Sequence, residues 1–159
     1  MPHQAGSSVR RAVTTKAAVK VGDKAPDFAL MGEGFEVTKL SDLKGSKVVL
    51  AFFPAAFSGD ADGGCQCQLQ ALQSIAKTDG VKVLGICKDQ PFAMGAWKQV
   101  QGIDCLSDWS LKTCEAYVGT LDFGEFLDGL DVSTDFKGYM ASRRGCVVLD
   151  EDQKVVYSW

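Results

Sequence analysis

The side chains in this sequence best suited to chemistry are thiols. Six cysteines stand at positions 65, 67, 87, 105, 114 and 146 of the 159 residues. Cys65 and Cys67 open the stretch "CQCQLQALQSIAK", in which Leu69, Leu72, Ile75 and Ala76 recur at helical spacing before Gly80 stops the pattern. A cysteine in the first turn of a helix faces unpaired N–H groups and the positive end of the helix dipole. Both favour thiolate, the form of sulfur that attacks and is oxidised.

The residues just before this helix complicate that setting. Asp60 and Asp62 bring negative charge, and Gly63-Gly64 would each cost about 1 kcal/mol inside a helix. Unwinding of that turn, with Asp62 as N-cap, would put Cys65 at the third helical position.

Other chemistries find less support. His3, in the first twenty residues, is the only histidine, which excludes a Ser-His-Asp or Cys-His mechanism in the body of the chain. Cys65 and Cys67 lie two residues apart and point to different faces of a helix, so they suit neither a relaxed disulfide nor a zinc site. No cofactor or metal is expected. Asp122, Glu125, Asp128, Asp131 and Asp135 cluster between Leu121 and Phe136, but their spacing misses the calcium-loop pattern. A solvated loop or short helix is expected there. Cys87, Cys105 and Cys146 sit in apolar strand-like contexts and read as small buried hydrophobes.

Several elements must position Cys65. "KVVLAFF", Lys47–Phe53, is a β-branched and aromatic run ended by Pro54, the pattern of a strand buried on both faces. "FEVTKL" (35–40), "VKVLGIC" (81–87) and "IDCLSD" (103–108) read as further strands, and "RRGCVVLDEDQKVVYS" as a hairpin turning at "DEDQ". "QPFAMGAWKQVQG" predicts a helix with Phe92, Ala96, Trp97 and Val100 on one face, and "WSLKTCEAYVG" another with Asp108 as N-cap. Alternating strands and helices imply an α/β fold with βαβ units, and a functional crevice at the carboxyl ends of the strands. The junction between Phe53 and the Cys65 helix is such a place.

Composition bounds the rest. The length suits one domain, expected over 21–159, and no apolar run approaches the ~18 residues of a membrane span. All twenty acids follow Lys20, which leaves an acidic body unsuited to binding nucleic acid. Residues 1–20 carry Arg10, Arg11, Lys16 and Lys20 and no acid. They read either as an organelle (plastid or mitochondrial) targeting remnant or as a flexible solvated arm.

"VGDKAPDFAL", "LSDLKGSKVVLAFFPAAFS", "VKVLGICKDQPFAMGAW" and "RRGCVVLDEDQKVVY", in this order, resemble the peroxiredoxins of the thioredoxin-fold superfamily. These are thiol peroxidases that reduce hydrogen peroxide and organic hydroperoxides. The resemblance runs from about Val21 to Tyr157 and implies a thioredoxin-like central mixed sheet flanked by helices. Its active-site pattern is Pro-x-x-x-Thr/Ser-x-x-Cys with an arginine from a later strand. On that pattern Pro54 is the proline, Ser58 the hydroxyl that bonds the peroxide, and Arg144 the cation that stabilises thiolate and transition state.

The cysteine itself departs from the pattern. Counting forward from Pro54 places Ala61 in its position; counting back from the helix, with Cys67 on a second, non-peroxidatic cysteine, places Asp62 there. Two functions follow. One is a weakly active or non-catalytic pseudoenzyme serving as a subunit or interaction module of a larger assembly. The other is a thiol peroxidase using a displaced Cys65 with Arg144 and Ser58, resolved by Cys67 or an outside thiol and recycled by a thioredoxin-type reductant. The end of the chain at Trp159, without the helix usual in such proteins, further predicts a bare apolar sheet face suited to a partner.

Overall fold

The run Lys47–Phe52 forms the central strand β3 because every residue from Val48 onward is apolar and can be buried on one or the other side of a sheet. Val48, Leu50 and Phe52 face one core, and Val49, Ala51 and Phe53 face the other. The structure, a computed structural model, describes residues 18–59, 64–132 and 135–159.

Around β3 the sheet has seven strands in the order β2-β1-β5-β4-β3-β8-β9. These are β1 (Ala29–Met31), β2 (Val37–Lys39), β4 (Val81–Cys87), β5 (Asp104–Ser107), β8 (Gly145–Leu149) and β9 (Val155–Ser158). β3, β4 and β5 are parallel, and the outer strands add antiparallel, which makes the sheet mixed. The closing hairpin turns at Asp150–Gln153 as expected. Val19 is 7% exposed within the core, so the packed domain begins before Val21. Of residues 1–20, to which the targeting expectation refers, 1–17 lie outside the described residues.

Helix α1 (Cys65–Leu72) follows β3 and α2 (Pro91–Gln101) follows β4, both packing on the Val49–Phe53 side. Gly85 of β4 permits this packing. A Cβ there would lie 3.1 Å from Cys105 Sγ, 3.2 Å from Phe53 Cε1 and 3.5 Å from Leu69 Cδ2. Gly85→Ala is therefore expected to push α1 off the sheet and destabilise the protein by about 1–3 kcal/mol, measurable by urea unfolding.

Three local expectations are corrected. α2 buries Met94, Trp97 and Gln101, whereas Phe92, Ala96 and Val100 are exposed. The Phe35–Leu40 strand shrinks to β2, because Phe35 takes φ 64° in a tight turn. The helix α3 (Lys112–Tyr117) has Leu111 rather than Asp108 at its N-cap, yet the Asp108 carboxylate still accepts the Cys114 N–H at 2.7 Å. The side chain thus serves the helix from outside the cap position.

The acidic segment includes a short helix as predicted, but it is flanked by the two strands of a small second sheet that periodicity did not show. β6 (Thr120–Asp122) pairs with β7 (Met140–Ser142), and α4 (Phe123–Asp128) follows β6. Asp122 caps α4 through the Gly124 and Glu125 N–H groups and also accepts from Gly138. These donors, Gly138 first, hold its carboxyl below the usual range.

On the far edge, Val148 pairs with Tyr157 and Cys146 exchanges backbone hydrogen bonds with Trp159. Tyr157 and Trp159 are 50% and 67% exposed, so this face carries uncovered aromatic surface.

Candidate active site

Cys65 is the first residue of α1, with Gly64 as its N-cap in extended conformation. The helix begins at Cys65 itself, and the expected third position is corrected to the first. Gly64 supplies no side-chain cap bond, so nearby N–H groups of the first turn stay without one from that residue. Ala61 and Asp62, the two candidates for the vacant position, lie outside the described residues, as does Asp60.

Arg144 reaches this sulfur from the opposite strand. β8 pairs antiparallel with β3, Gly145 standing opposite Phe52. The residue before Gly145 is therefore held at the end of β3, where the chain leaves for α1. Arg144 Nη2 lies 3.4 Å from Cys65 Sγ. A guanidinium is always charged, and one of its N–H groups is directed at this sulfur.

Gln68 completes the group. Arg144 Nη1 donates to Gln68 Oε1 at 3.1 Å, and Gln68 Nε2 donates to Gly145 O at 3.0 Å and Phe52 O at 3.3 Å. One amide thus ties the guanidinium to the ends of β3 and β8. Sequence reasoning missed it, although Gln68 is three residues after Cys65 and so on the same helix face. Gln68→Ala is expected to let Arg144 swing and to lower the rate of Cys65 oxidation about tenfold, measured by single-turnover peroxide consumption.

The other predicted residues are placed differently. Pro54 is half-buried at the end of β3. Ser58 is exposed and does not join the hydrogen-bonded group of Cys65, Gln68 and Arg144 among the described residues. The intervening loop is held by Asp89, whose carboxylate accepts the Ala56 N–H at 2.6 Å, and by Phe57, whose ring centre is 4.6 Å from that of Trp97. Asp89 follows a strand with no helical or turn spacing to Ala56, and so left no signal in the sequence.

All six cysteines are described, and none is in a disulfide. Cys67 is half-buried, two residues beyond Cys65 on the same helix. Burial raises the thiol pKa of Cys87 and Cys114 strongly, and that of Cys105 to about 12. These three remain protonated at neutral pH and are poor nucleophiles. Among the described residues, no group of three or more His, Cys, Asp or Glu side chains is placed to hold a metal ion. None of the described helices is long and apolar enough to cross a membrane.

The AhpC/TSA family profile matches residues 21–158. A thiol peroxidase of Bacillus subtilis is 32% identical over 141 residues, covering 88% of this chain and 75% of that protein. Peroxiredoxin Bcp of the same organism is 28% identical over 148 residues, covering 89% and 85%. Among solved structures, the peroxiredoxin-like protein from Aquifex aeolicus superposes with a TM-score of 0.69 over 91% of this chain and 78% of that one, at 22% identity. That last likeness supports the thioredoxin-like mixed sheet read from the sequence. With a profile matched from Val21 to Ser158, and relatives of this identity aligned over most of its length, the chain belongs to the AhpC/TSA family of peroxiredoxins.

Proposed function

We propose that this protein is a thiol peroxidase whose nucleophile is Cys65. One observation carries the reading: Cys65 opens α1 with Arg144 Nη2 3.4 Å from its sulfur. The family position held by Ala61 or Asp62 lacks a sulfur, but a thiolate needs a helix start and a cation, and Cys65 has both. The family relatives named thiol peroxidase and peroxiredoxin support the same chemistry.

In the reaction, the Cys65 thiolate attacks one peroxide oxygen. An S–O bond forms and the O–O bond breaks; the departing oxygen takes a proton and leaves as water or an alcohol. Sulfur is oxidised to sulfenic acid and the peroxide is reduced. Arg144 is placed to stabilise the charge that moves from sulfur to the departing oxygen. A thiol then condenses with the sulfenic acid, releasing water and forming a mixed disulfide, and a second thiol of a thioredoxin-type dithiol reductant restores Cys65. Cys67 could resolve only if the first turn of α1 unwinds, since neighbours two apart diverge on a helix.

A second reading, the non-catalytic subunit, is favoured by a specific observation: Cys65 is only 2% exposed. Turnover of hydrogen peroxide with a thioredoxin reducing system, with sulfenic acid trapped by a cyclic diketone, separates the two. The peroxidase reading expects turnover and preferential labelling of Cys65. No turnover, with Cys65 labelled no faster than Cys114, would overturn it and leave the non-catalytic module.

A further inference from the structure

Trp109 stands just beyond the carboxyl end of β5 and separates two cavities. It is 63% exposed and lines both. The larger, about 660 Å³, is also walled by Lys88, Lys112, Glu115, Thr120 and Met140. Lys88 directly follows β4 and is half-buried. Its ammonium lies 4.7 Å from the centre of the Tyr139 ring and 5.9 Å from that of Trp109, and among the described residues no carboxylate forms a salt bridge with it. The only acid on that wall, Glu115, already accepts the Thr120 hydroxyl at 2.6 Å.

The smaller cavity, about 340 Å³, is an apolar slot between Met31, Pro91 and Trp109. Ser107, 6% exposed, also lines it, and the Ser107 hydroxyl is buried without a hydrogen-bond partner. A half-buried cation held against aromatic rings without a salt-bridge partner favours an anion beside it. Both features lie at the carboxyl ends of adjacent parallel strands, the usual ligand side of an α/β sheet.

We propose that the two cavities beside Trp109 form one binding site for an organic carboxylate with an apolar body. The carboxylate pairs with Lys88 and Lys112, and the body lies along Trp109 into the slot of Met31 and Pro91. The net charge of the protein is negative, so attraction of an anion must be local to these lysines. Cys65, Gln68 and Arg144 line neither cavity, and the site stands independently of the peroxidase reading.

Calorimetric titration of the full chain with sodium decanoate at low salt tests this, with 1-decanol as the uncharged probe. Decanoate is expected to bind at least about tenfold more tightly than decanol, and Lys88→Gln to weaken decanoate by about tenfold or more. Trp109→Ala is expected to weaken both probes. If Lys88→Gln does not fold, Lys112→Gln reads the same charge. Absence of decanoate binding, equal affinity for decanol, or unchanged affinity in the folded lysine variants would overturn the site.

Discussion

Cys65→Ser is expected to lower kcat/KM for hydrogen peroxide by about 10³-fold or more, to the level of the uncatalysed mixture, because an alkoxide is not available at neutral pH. Serine is nearly the same size, so the change tests the sulfur rather than the packing. Cys65 is buried, and a hydroxyl there retains the option of accepting from Arg144, so the fold is expected to survive with at most about 1–2 kcal/mol lost. Thermal unfolding checks this before kinetics are read. Cys67→Ser provides the contrast: it is expected to keep the first, stoichiometric oxidation of Cys65, whatever happens to recycling. Full turnover in Cys65→Ser would place the nucleophile elsewhere, and none of the buried thiols Cys87, Cys105 and Cys114 has a setting that favours it.

The second large effect is at Arg144. Arg144→Ala removes the donor at 3.4 Å from sulfur and leaves Gln68 Oε1 without its guanidinium partner. The expected loss in the rate of Cys65 sulfenylation is about 10²–10³-fold, the scale for removing one aligned donor at a centre of developing charge. Arg144→Lys keeps the charge but cannot reach Sγ and Gln68 together with two donors fixed in one plane, so it is expected to fall between wild type and alanine. A structural role alone would appear as lowered stability with unchanged sulfenylation at temperatures where the variant is folded. Equal sulfenylation rates in wild type and both variants would remove Arg144 from the mechanism.

Much of the architecture was legible because it depends on short-range pattern. The run Lys47–Phe53 could be buried on both sides only as a central strand, and "RRGCVVLDEDQKVVYS" could satisfy its turn only as a hairpin. The errors arose where burial is set by a distant neighbour. Phe92 and Val100 share apolar character with Trp97 but not its side of α2, since the side that is buried meets β5 and α1. β6 and β7 are each three residues long, too short to show an alternation of their own.

The candidate site divides in the same manner. Pro54, Ser58 and Arg144 were named through the family resemblance, and Cys65 and Cys67 from the start of a helix, which is a local feature. Gln68 was within reach of that reasoning through its spacing from Cys65. Asp89 was not, because its bond to Ala56 spans 33 residues and exists only where β3 and β4 lie side by side.

The sequence by itself determined the family, the parallel core, and the presence of thiols at the head of a helix next to a strand end. These follow from residue type, alternation and order along the chain. Only the tertiary structure decided which thiol the cation reaches. Arg144 is 79 positions from Cys65, and the pairing of Gly145 with Phe52 brings it to the sulfur at the first residue of α1. Charge stabilisation acts over a few ångströms of space, and separation along the chain does not measure that distance.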